Sequence, residues 1–215
     1  MTFNADGTFL WVIMPFDPRF EEMTTFIMKT RTILIIGVLF GLGTLNTWAQ
    51  EINQKSTDTN GREKLLGVIN EEGLKQNSFA QWYKTNYDNY VVDSEVLTII
   101  EKRLKKYEIL AFMGTWCGDS RREIPRFYKI LDSIDFPMEN LTMVGVDNAR
   151  ENYKNSPTGE ERGHDIIKVP TFIILKDGKE VNRIVETPKV SLEKDLKAIV
   201  QNASYIPNYK IVPVD

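Results

Sequence analysis

Residues 108–120 read Glu108-Ile-Leu-Ala-Phe-Met-Gly-Thr-Trp-Cys-Gly-Asp-Ser120, and this stretch decides the fold. The run EILAFM is apolar and short, bounded by a charge and a glycine, which predicts a buried strand. After Gly114 the pattern changes to period 3.6. Ile124, Phe127, Ile130, Leu131 and Ile134 fall on one face, which predicts a helix from about Cys117 to Ile134. Cys117 therefore stands where a buried strand gives way to a helix. There a thiol meets unpaired backbone N–H groups and the positive end of the helix dipole, and such thiols ionise below the free value of about 8.5. Arg121 and Arg122 add positive charge nearby, and Asp119 opposes it.

Working outward, residues 141–147 (LTMVGVD) predict a second strand. Residues 171–176 (TFIILK), the Asp177-Gly178 turn and residues 180–185 predict a hairpin. Ser191 is expected to cap a last helix carrying Leu192, Leu196, Ile199 and Val200. Upstream, Ser94 is expected to cap a helix with Val96, Leu97, Ile100 and Leu104 inward, and residues 90–92 form a short strand candidate. Ser78 is expected to cap a helix whose Phe79, Trp82 and Tyr83 pack on the main domain. Residues 148–163 read as a polar loop. Alternating β and α elements of this kind make layers around a mixed sheet.

Trp116-Cys117-Gly118, with Pro125 eight residues after the cysteine, resembles the thioredoxin active site and its helix-kinking proline. Val169-Pro170-Thr171-Phe172 resembles that family's cis-proline segment, and Val146-Asp147 resembles the end of its central strand. The resemblance covers residues 90–202. It implies an α/β thioredoxin-like three-layer sandwich with a central mixed β-sheet, here with an N-terminal helical extension. It assigns catalysis to Cys117 and the thiolate environment to Trp116, Gly118, Asp119 and Ser120. Val169, Pro170, Thr171 and Glu186 are expected to line the substrate groove. There are departures from the family pattern. The second motif cysteine is Ser120, the buried acid six residues before the cysteine is Ala111, and the glycine after the hairpin is Glu186. The 147–170 loop is also longer than in a minimal thioredoxin.

With one thiol, an adduct on Cys117 needs an outside thiol for its release, because Ser120 cannot resolve it. The expected activity is monothiol–disulfide exchange on protein or mixed disulfides, with a cysteine-containing protein or small thiol as partner. The alternative is a redox-inactive peptide- or partner-binding module of the same fold. A peroxidase would want Thr or Ser where Gly114 stands. A copper chaperone would want two cysteines and a placed histidine, against the single Cys117 and His164. One cysteine excludes an intrachain disulfide, and neither metal nor other cofactor is expected. A net charge of −3 gives no reason to expect nucleic acid.

Residues 28–32 are basic, 33–45 (ILIIGVLFGLGTL) are apolar, and Thr47 and Ala49 stand at the small-residue positions before Gln50. That is the order of a secretory signal peptide, and the apolar run is short against the roughly 20 residues of a membrane span. The expected division is an upstream stretch 1–27 preceding the true start and a signal peptide at 28–49. A polar leader with a short helical extension follows at 50–89, then the thioredoxin-like domain at 90–202 and a tail at 203–215. Export to a periplasm or the cell exterior follows, with an uncleaved anchor as the alternative. Disulfides persist in such places.

Overall fold

The structure, a computed structural model, describes residues 51–209; the upstream stretch and the signal-peptide reading lie outside them. Strands β1 (Gln54–Thr57) and β2 (Glu63–Ile69) come first, then helices α1 (Glu71–Leu74), α2 (Asn77–Asn89) and α3 (Ser94–Leu104). Strand β3 (Glu108–Met113), helix α4 (Gly118–Ser133) and strand β4 (Leu141–Gly145) follow. The hairpin β5 (Thr171–Lys176) and β6 (Lys179–Val185) and helix α5 (Leu192–Val200) complete the order. The strands form one mixed sheet in the order β1-β2-β4-β3-β5-β6. Only β3 and β4 pair in parallel among these neighbours; the other pairs are antiparallel.

Side-chain alternation along β3 sorts the core. Ile109, Ala111 and Met113 point to the face that the helices cover, joining Phe79 and Tyr83 of α2, Ile100 of α3, Phe127 of α4 and Leu196 of α5. Phe127 and Phe172 meet there with ring centroids 4.4 Å apart. Phe112, Val144 and Ile173 point to the other face. The long segment between β4 and β5 covers that face, bringing Ile166 and Val169 against it and the His164 ring to 6.0 Å from Phe112. The layers are thus helices, sheet, and a loop layer carrying the 3₁₀ turn Arg150–Asn152.

Two expectations are corrected. Within residues 50–89 the expected helix stands as α2, with Phe79 and Tyr83 in the core, but the stretch before it is not a leader. Its β1–β2 hairpin enters the sheet, with β2 antiparallel to β4, so the domain begins well before residue 90. Residues 90–92 are not a strand. Val91 is 87% exposed, and the neighbouring backbone is taken up by side chains: Lys129 Nζ donates to the Tyr90 carbonyl at 2.7 Å and Glu193 accepts from Asp93 N at 3.2 Å. Two caps also move. Asp93 caps α3 by accepting from Val96 N, and Gln76 precedes α2 while the Ser78 hydroxyl donates to Glu63. Ser191 caps α5 by accepting from Lys194 N.

The tail folds back on the domain. Asn182 Nδ2 donates to the Tyr205 carbonyl at 3.0 Å, the Tyr205 hydroxyl donates to Asp195 at 2.8 Å, and Asn208 Nδ2 donates to the Thr187 carbonyl at 2.7 Å. These bonds hold residues 205–209 along the end of β6.

Candidate active site

Cys117 is the N-cap residue of α4, in extended conformation at φ −86° and ψ 129°, and is half-buried. Its carbonyl accepts from Arg121 N at 3.0 Å, the first turn of the helix. The turn before it is tight: Cys117 N donates to the Gly114 carbonyl at 2.9 Å. Glycine is required at 114 because a Cβ there would lie 2.4 Å from the Trp116 ring. That ring is fixed by Trp116 Nε1 donating to the Val146 carbonyl at 2.8 Å. Arg121 Nε donates to the Thr115 carbonyl at 2.6 Å, tying the helix back to the turn. Pro125 sits inside α4 and supplies no N–H to the turn before it.

The groove residues gather at the thiol. The Val169–Pro170 peptide is cis, and Cys117 Sγ donates to the Val169 carbonyl at 3.2 Å. The Pro170 carbonyl accepts from Glu186 N at 2.7 Å, and Thr171 Oγ1 donates to the Lys168 carbonyl at 2.7 Å. Cys117, Val169, Pro170 and Glu186 are therefore linked by one chain of bonds.

The remaining motif residues divide by depth. Ser120 is fully buried, and its Oγ accepts from Gly114 N at 3.2 Å, so its hydroxyl supports the turn. Asp119 pairs with Arg122 at 2.7 Å, and Arg122 also reaches the buried Glu123 at 2.6 Å. Gly118 opens α4, and a Cβ there would meet open space. Ala111 is fully buried among apolar side chains of the helix face.

Glu186 sits at φ +64°, a conformation that costs a residue with a Cβ about 1–3 kcal/mol. This explains the glycine that the family places there. Its carboxylate is held below the usual range by a hydrogen bond from Tyr209, against the opposing effect of burial, and by Lys168 at 3.1 Å. Three neighbours were not visible in the sequence. Tyr153 brings its ring to 6.0 Å from Trp116. Tyr209 comes from the tail, with Lys168 Nζ 5.2 Å from its ring centre. Lys64, a buried lysine on β2, pairs with Asp147 at 2.5 Å. Each is brought in by long-range packing, and no local pattern marks them.

Among the described residues no group of three or more His, Cys, Asp or Glu side chains is placed to hold a metal ion, and no helix is long and apolar enough to cross a membrane.

A family model described as Thioredoxin matches residues 71–198. An H-type thioredoxin of Picea mariana is 33% identical over 100 residues, spanning 46% of this chain and 72% of that protein. A thioredoxin-like protein of Acanthamoeba polyphaga mimivirus is 26% identical over 113 residues, 53% of this chain and 77% of that one. The crystal structure of a Fasciola hepatica thioredoxin aligns with 19% identity and a TM-score of 0.30, over 52% of this chain and 93% of that chain. With its motif cysteine at the start of α4 against a cis-proline loop, and with a family match over more than half its length, this chain belongs to the thioredoxin family, whose chemistry is thiol–disulfide redox exchange.

Proposed function

We propose that the protein is an exported monothiol exchange enzyme acting on protein or mixed disulfides through Cys117. The observation that carries this reading is the pairing of a half-buried N-cap thiol beside the Val169–Pro170 segment with a fully buried hydroxyl at Ser120. In the forward step Cys117 sulfur, as thiolate, bonds one sulfur of the substrate disulfide while the other leaves as a thiolate. An external thiol, of the glutathione class, then attacks the mixed disulfide and frees Cys117. Each step breaks one S–S bond and makes one, so electrons balance with the external thiol as reductant.

Reduction of a glutathionylated protein, with glutathione as the external thiol, tests the proposal. Cys117→Ser should abolish turnover and leave the fold intact, because serine is a good N-cap. Turnover that survives the substitution would refute it.

Export rests on residues 28–49, whose basic, apolar and small-residue segments follow the order of a signal peptide. N-terminal sequencing of protein recovered outside the cytoplasm should begin at Gln50. Protein confined to the cytoplasm with residues 28–49 intact would contradict export.

A further inference from the structure

Two segments bring aromatic side chains to the Cys117 groove. The long β4–β5 segment supplies Tyr153, 53% exposed, with its ring against Trp116. Lys154 stands over the Tyr153 ring at 4.7 Å and donates to the Ile167 carbonyl, which pins this segment one residue before Lys168. The tail supplies Tyr209, 38% exposed, whose hydroxyl shares the Glu186 carboxylate and whose ring lies under Lys168.

We propose that Tyr153 and Tyr209 are specificity-determining residues that hold a polypeptide against Cys117 and favour peptidyl disulfides over small ones. This rests on the exchange chemistry proposed above. Exposed tyrosines give large contact area at low entropy cost, and such rings are the usual anchors of protein contacts. Both are stiffened before any substrate arrives, Tyr153 by Lys154 and Tyr209 by Glu186 and Lys168. Preorganised rims lose little freedom on binding. A small disulfide needs only the sulfur of Cys117 and the Val169–Pro170 edge, and has nothing to lay across the two rings. A peptide running past the proline loop does.

The test compares two substrates with the full chain and glutathione as the external thiol: a decapeptide carrying one cysteine as its glutathione mixed disulfide, and hydroxyethyl disulfide. Tyr153→Ala and Tyr209→Ala should each lower kcat/KM for the peptide at least about fivefold, mainly through KM. The small disulfide should change by less than about twofold, which also reports that each variant is folded. Tyr153→Phe keeps the ring and should keep peptide activity. Equal losses on both substrates, or an unchanged peptide rate, would overturn the role of the tyrosines while leaving exchange at Cys117 in place. A wild-type chain inert toward both substrates would overturn the exchange reading and this one together.

Discussion

At the scale of single residues, three departures from the family pattern form a consistent set. Ser120 cannot resolve an adduct, yet it is buried and its oxygen is engaged by Gly114 N, so its position is structural. Ala111 leaves the floor beneath the motif apolar, and no acid there would take a proton from a second thiol. Glu186 accepts a strained backbone and in return anchors Lys168 and Tyr209 beside Pro170. Ser120→Cys would restore a resolving thiol at position three of the helix. It should shorten the life of the Cys117 adduct and raise turnover with dithiothreitol at least about threefold, because resolution becomes intramolecular. An adduct as persistent as that of the wild type would show that more than the missing thiol prevents self-resolution. The apolar surroundings of Ala111 should keep the gain below that of a dithiol enzyme.

At the scale of elements, strand β2 and the start of the long loop are joined by one buried ion pair. Lys64 Nζ meets Asp147, whose side chain also accepts from Asn148 N at 2.6 Å and Ala149 N at 3.0 Å. The Asp147 backbone bonds Asn155 and Lys154, so this carboxylate fixes the base of the loop that delivers Tyr153. Burial alone would raise its pKa; the Lys64 ammonium and the two backbone donors outweigh that and lower it. A depressed carboxylate contributes stability that is complete above its unfolded value of about 3.9 and is lost as pH falls through the lower folded value. Lys64→Met leaves the buried carboxylate without its partner and should destabilise the domain by about 3–5 kcal/mol at neutral pH. The midpoint of acid unfolding should also move upward. Urea and acid titrations followed by circular dichroism measure both. A loss under about 0.5 kcal/mol would show that Asp147 is held well enough by the backbone alone.

At the scale of the whole molecule, what was legible in the sequence was local. β3 and α4 followed from a change of period at Gly114. The β5–β6 hairpin followed from Asp177-Gly178, which take φ of 51° and 71°. The thiol and the proline loop were each marked by short motifs, so both halves of the groove could be named before any contact between them was known. Strand β2 was not legible. It carries a lysine that is buried against Asp147 and the Asn148 side chain, and Gly67 at φ +72° interrupts its pattern. Residues 90–92 read as a strand because Tyr and Val favour one, yet capping and packing of α3 and α5 claim that backbone. Tyr153 and Tyr209 stand 36 and 92 positions from Cys117 in the sequence and meet its groove only through the fold. Whether one sulfur does the work and cannot free itself is read from the intact mass of the protein after incubation with a glutathionylated substrate protein and removal of free thiols. One covalent adduct per chain is expected on Cys117, persistent until glutathione is added and absent from Cys117→Ser. An unmodified mass for the wild type, or an adduct that disappears without any added thiol, would contradict it.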